Sequence, residues 1–162
     1  MKRLYIDLTS SRKAVAFFTN EPDTEIVPAG TTVYSMSAKD RNAVYQMYGD
    51  RYGLHFIFDD SLPEVDFYTV PQVELFAFDR RGGLLGTILG SPDLEEERPV
   101  CYISPERKLY RAAGSLAELL ELAKGPAGWK SNLKEEHSVS LYASREQAAR
   151  QLDFYSLPGD LL

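Results

Sequence analysis

The stretch that most constrains what this chain can fold into spans residues 73–124. Two strand-like apolar runs, residues 73–78 and 84–89, flank Arg80-Arg81-Gly82-Gly83. Glycine reaches positive φ without a steric penalty, so the pair predicts a tight reversal between antiparallel strands. Only Glu74 and Thr87 interrupt the apolar character of the two runs, which predicts central strands covered on both faces. The glycines lack the spacing of a dinucleotide-binding fingerprint, and no helical pattern follows them. Residues 100–103 and 108–112 predict a second hairpin around Ser104-Pro105-Glu106-Arg107. Ser115 and Glu118 then form an S-x-x-E capping box, and Leu116, Leu119, Leu120 and Ala123 make one apolar stripe. Gly125-Pro126 supplies the stop. A helix this short is stable only when packed, so it is expected to lie on the sheet.

The flanking regions carry weaker signals. Residues 3–8 and 14–19 predict an N-terminal hairpin turning at Ser10-Ser11-Arg12, and residues 20–30, with two prolines and several acids, predict a loop. Residues 31–36 predict a short strand. Ser37 with Asp40 predicts the capped start of a helix, with a buried stripe of Val44, Met47 and Tyr48 and an end at Gly49 or Gly53. Residues 54–58 and 67–70 predict strands, the second running up to a bend at Pro71. Trp129 is expected to anchor its loop on the core, and residues 139–142 predict a short strand. Ser144 and Gln147 cap a last helix with Ala148 and Leu152 inward. The tail over residues 154–162 is too apolar to stay free and is expected to dock. The sum is an α+β fold: a single, mostly antiparallel sheet with helices packed on one side, in one domain over residues 1–162.

Function is constrained mainly by what the residues lack. The net charge of −6 argues against a nucleic-acid binder, which needs a basic face to neutralise phosphates. Cys101 is the single cysteine, which leaves no intrachain disulfide and no cysteine zinc site; its apolar strand context predicts burial. No run approaches the roughly 20 apolar residues of a membrane helix, and the opening segment is too short in apolar residues for a signal peptide. A cytoplasmic location is the resulting expectation. There is no G-x-S-x-G elbow, H-E-x-x-H pair or Walker loop. His55 sits in a strand pattern and reads as a packed residue, while His137, after two glutamates, reads as exposed. Any two acids can meet in space, but nothing here selects a catalytic pair. No catalytic residue, cofactor or metal ligand is assigned.

Two acidic groups remain. Asp59, Asp60, Glu64 and Asp66 form the first, and Asp93, Glu95, Glu96 and Glu97, closed by Pro99, form the second. The first lacks the order of an EF-hand loop; it reads as a solvated loop, a partner-facing patch or a hard-cation site. Opposite potentials speed association, so these eight residues are the candidate contacts for a basic protein partner. Tyr45, Tyr48 and Tyr52 recur at helical spacing, which suits half-buried packing or a binding surface.

Three pieces carry a family likeness: Phe76-Ala77-Phe78-Asp79 with Arg80 to Gly83, then Pro99-Val100-Cys101-Tyr102-Ile103, then Tyr110-Arg111-Ala112-Ala113-Gly114-Ser115-Leu116-Ala117-Glu118-Leu119-Leu120. Together they resemble the SMI1/KNR4 (SUKH) superfamily over about a third of the chain. That family opens with a helix and a Leu-Pro-containing helical segment; here a predicted hairpin comes first and residues 38–52 stand in for the segment. The resemblance implies an α+β fold and a non-enzymatic binding role. It further implies a bacterial immunity protein that neutralises a toxin of a contact-dependent or polymorphic system, with no catalytic residues to transfer. The competing expectations are a small enzyme or ligand-binding domain with a pocket in the curved sheet, using the tyrosines and His55, and a regulatory interaction module.

Overall fold

The glycine-reversed hairpin lies in the middle of the largest sheet of a computed structural model that describes residues 2–9 and 23–154. The first part of the chain forms β1 (Lys2–Asp7), β2 (Thr24–Ala29), β3 (Thr31–Val33), α1 (Ala43–Tyr52), β4 (His55–Phe56) and β5 (Tyr68–Val70). The centre follows as β6 (Val73–Phe78), β7 (Leu84–Ile88), β8 (Val100–Ile103), β9 (Leu109–Ala113) and α2 (Leu116–Lys124). The chain continues through β10 (Lys134–Glu135), β11 (Ser140–Tyr142) and α3 (Arg145–Ala149).

The large sheet runs β10-β9-β8-β7-β6-β3, antiparallel except for the parallel β3–β6 pair. β4 joins it by pairing antiparallel with β6. The fold is α+β, as the element pattern predicts, but the strands do not form the expected single sheet: β1–β2 and β5–β11 are separate two-stranded ribbons beside the large one.

The two apolar faces of β6 and β7 explain the layering. On one face Phe76, Leu85, Val100, Tyr102 and Ala112 pack against Tyr48 of α1, against Leu116, Leu119 and Ala123 of α2, and against Trp129. On the other face Val73, Leu75, Leu84, Cys101 and Ile103 are covered by Ile57, Phe67 and Val139. The Ser115 hydroxyl accepts from the Glu118 amide at 3.1 Å, so α2 starts where its capping signal lies. Ser144 likewise accepts from Gln147 at 3.1 Å and starts α3.

Three expectations need revision. Residues 24–29 are a strand, parallel to β1, rather than a loop. Pro28 is tolerated because β2 belongs to a ribbon of only two strands, and its carbonyl accepts from the Gln72 amide at 2.9 Å. β1 therefore has β2 as a partner; the predicted strand over residues 14–19 lies outside the described residues, as does the tail after Phe154. Ser37 makes no side-chain cap. Residues Ala38–Asp40 form a 3-10 turn whose first amide donates to Asp59 at 3.0 Å, and α1 starts later, where Asn42 accepts from the Val44 and Tyr45 amides at 2.9 and 3.2 Å. With that start Tyr48 is buried, whereas Val44 is 56% exposed.

At Gly86 of β7 there is no room for a side chain. A Cβ there would meet Val73 Cγ1 at 2.5 Å and the Glu74 carbonyl oxygen at 2.8 Å. The register of β6 shifts at this level, between Leu75 and Ala77. Because one obstacle is backbone, the strands cannot yield by turning a side chain. Gly86→Ala is expected to lower stability by about 1–3 kcal/mol in denaturant unfolding; unchanged stability would show that the sheet opens there freely.

Candidate functional site

The irregular edge of β6 creates a concavity. β3 occupies the first half of that edge, opposite Val73 to Leu75, and β4 the second, opposite Ala77 and Phe78. Between them the chain leaves the sheet, passes through α1 and returns. Its two ends are also joined to each other by a bridge between Met36 and Phe58, with Met36 donating to Ile57 and Asp59 to Met36 at 2.9 Å each. A groove of about 510 Å³ opens between this excursion, the start of α2 and the loop that follows β7.

The groove is chiefly aromatic. Tyr45, Phe56 and Phe76 line it with Tyr34, Leu116 and Leu120. The rings meet mostly edge to face: Tyr45 to Phe56 at 5.5 Å and 69°, Tyr48 to Phe56 at 5.7 Å and 86°. Tyr34 is 43% exposed and Leu94, at the groove margin, 60% exposed.

Asp93 and Glu95 border the groove, and no cationic side chain lines it. Asp93 accepts from the Glu95 amide at 2.8 Å, a local turn that orders the loop. The Glu95 carboxylate has no ion pair among the described residues. Its neighbour Glu96 is paired with Arg98, and Arg98 also donates to the Leu89 carbonyl across Gly90. Gly90 has a φ of 130°, and a Cβ there would meet the Arg98 guanidinium at 2.8 Å. The loop is thus folded back on itself by Arg98, with Asp93 and Glu95 left on the groove side.

The other predicted acids have internal roles. Asp60 and Arg41 form a two-point pair at 2.7 and 3.2 Å, and the Arg41 hydrogen bond holds the Asp60 carboxyl below its ordinary pKa. Asp66 pairs with Arg107 at 3.1 Å, and Arg107 lies over Phe67 at 5.0 Å. Asp59 caps the turn at Ala38. Glu64 and Glu97 are exposed and unpaired among the described residues. Of the eight candidates, the structure brings only Asp93 and Glu95 to the groove. Exposed ion pairs are weak, so Asp60 and Asp66 remain able to exchange partners.

The predicted tyrosine group divides. Tyr45 and Tyr48 line the groove, while Tyr52 does not. His55 is not in it. It stacks on Phe78 at 5.3 Å and lines a second cleft of about 200 Å³ with Arg41, Gln46, Ser61 and Arg80, on the far side of Tyr45 and Phe56, which border both. Burial, then the nearby Arg80 charge, lowers the His55 pKa, so the imidazole is neutral at pH 7. The face of Gly49 packs against that ring: a Cβ would come within 2.6 Å of His55 Nδ1. Cys101 is fully buried, and burial pushes its thiol up to about 12, far from a reactive thiolate. Among the described residues no three His, Cys, Asp or Glu side chains are grouped to hold a metal ion, and no helix is long and apolar enough to cross a membrane.

The meeting of Tyr34, Phe56 and Phe76 carries no local signal, unlike the stripe of Leu116 and Leu120 and the charge of Asp93 and Glu95. Tyr34 follows β3, Phe56 lies in β4 and Phe76 in β6, and only the pairing around β6 brings them to one groove. No protein-family model, curated protein or solved structure matches this chain.

Proposed function

We propose that this chain is a non-enzymatic protein-recognition domain, of the immunity-protein kind that the SUKH resemblance implies, and that it binds a basic partner such as a bacterial toxin domain. The observation that supports this is the aromatic groove, open to solvent at Tyr34 and Leu94 and bordered by Asp93 and Glu95 with no base of its own. Aromatic surface supplies the buried contact of a binding site, and unpaired carboxylates beside it supply long-range steering toward positive charge. Toxic nucleases carry basic surfaces for their substrate, and the net charge of −6 gives this chain the opposite sign. A small-molecule pocket is the second reading, because about 510 Å³ falls in the range of ligand sites.

The test is to mix the purified chain with the product of the neighbouring gene and measure association over a salt series. Association is expected to slow, and the complex to weaken, as ionic strength rises. Absence of a complex at every ionic strength would sink the proposal.

A further inference from the structure

The groove's charge pattern restricts what it can hold. A neutral apolar occupant would desolvate Asp93 and Glu95 without providing a counter-charge, which is unfavourable for any carboxylate. An anionic occupant would add repulsion. The chain's own cations already show how the surrounding rings are used. The Arg41 guanidinium sits 4.5 Å from the centre of Phe58, at one end of the aromatic array, and the Lys124 ammonium 5.9 Å from the centre of Tyr48, at the other. Phe58 and Phe56 both contact Tyr45, at 5.7 and 5.5 Å, and Phe56 in turn contacts Tyr48. Tyr45 and Phe56, in the middle of this array, border the His55 cleft with Arg41 and Arg80 on one side but have no cation over their rings among the described residues. On the other side they face the acidic loop together with the exposed Tyr34.

We infer that this middle section seats one lysine or arginine side chain of a basic partner segment, its alkyl stem on Tyr34, Tyr45 and Phe56 and its head group between those rings and the carboxylates of Asp93 and Glu95. A long cationic side chain fits both demands at once, because its stem is apolar and its end is charged. Ring faces attract the cation, and the carboxylates neutralise it in a partly desolvated place where both effects exceed their value in water. The flanking apolar residues of the segment cover Leu94 and Leu120. This inference rests on the recognition reading above and names the group recognised.

The experiment uses three neutral-ended peptides of the form acetyl-Gly-Leu-X-Leu-Gly-amide, with X as lysine, norleucine or glutamate, titrated into the isotopically labelled full chain. Backbone amide shifts are expected to centre on Tyr34, Tyr45 and Leu94, with the lysine peptide bound about tenfold more tightly than the norleucine peptide. Tyr34→Ala and the double variant Asp93→Asn with Glu95→Gln, all at exposed positions, are each expected to weaken the lysine peptide about tenfold. Equal binding of norleucine, undiminished binding by the double variant, or shifts centred elsewhere would overturn the inference. The two readings separate cleanly. A basic partner protein that binds the wild type and these variants equally defeats the groove assignment and leaves the broader proposal intact. Peptide selectivity for lysine without any protein complex does the reverse.

Discussion

Trp129→Ala is expected to be the most damaging single substitution in the chain, lowering stability by about 3–5 kcal/mol. The indole is 2% exposed. It stands edge-on to Tyr102 at 5.3 Å, and its Nε1–H donates to the Tyr52 carbonyl at 2.8 Å. That carbonyl is the last residue of α1, where the helix has no further turn to satisfy it. One side chain therefore fills the core beside the sheet and closes the end of a helix from far along the sequence. The two contributions can be separated. Trp129→Phe keeps most of the buried area and loses the hydrogen bond, so it is expected to cost about 1–2 kcal/mol beyond any packing change. Because this is the single tryptophan, unfolding should be followed by far-ultraviolet circular dichroism. Equal stability of wild type and Trp129→Ala would show that the loop does not pack as described.

Asp79→Ala is expected to rank second, at about 3 kcal/mol. The Asp79 carboxylate is almost fully buried and ties three elements together. It accepts from the Arg81 and Gly83 amides at 2.9 and 2.8 Å, which shapes the reversal between β6 and β7. It also accepts from the Tyr102 hydroxyl on β8 and from Lys130 at 3.1 Å. A Cβ on Gly83 would collide with that hydroxyl, so the second glycine of the turn is what lets Tyr102 reach Asp79. Removing the carboxylate leaves two amides and a phenol without a partner; Lys130, nearly half exposed, turns to water at little cost.

Acid should reveal the same group. Burial disfavours the Asp79 charge, but the hydrogen bonds from Tyr102, Gly83, Lys130 and Arg81 outweigh it and hold its pKa below the ordinary carboxylate value. A depressed native pKa adds stability that is complete above the unfolded value of about 4 and disappears as pH falls toward the native one. The stability gap between wild type and Asp79→Asn is thus expected to be widest near pH 7 and to narrow below about pH 4. A gap that stays constant from neutral into acid would show that the carboxylate carries no charge in the fold. Glu136, whose carboxyl is also lowered because hydrogen bonds from Arg111 and Ser138 overcome its burial, adds to the acid sensitivity of both proteins.

The parts of the fold that were legible share a cause: their signals are local. Ser115 caps the next turn of its own helix, and two glycines reverse the strands on either side of them. Apolarity on both sides of β6 and β7 needs no distant residue to predict cover on two faces. The missed elements depend on partners far away in sequence. Pro28 lies in a strand because β1 offers it a ribbon edge, and Ser37 yields its capping role to Asp59 and Asn42 because the returning chain brings Asp59 there. The acidic loop beside the site was visible as charge, yet which acids face the groove depends on Arg98 taking Glu96 away. Tyr34, Phe56 and Phe76 gave no sign of lining one groove, since their neighbourhood across β3, β4 and β6 is a product of the assembled sheet.

The double occupancy of the outer edge of β6 has a mechanical corollary. The excursion carrying α1 is a bight tied off at both ends on one rail, and knotted across its neck at Met36 and Phe58. Moving the wall that carries α1 would mean unzipping ladder bonds rather than swinging a hinge. If the groove binds a basic segment as proposed, the wall carried by α1 is set before the guest arrives, and poor fits are refused there instead of being moulded around.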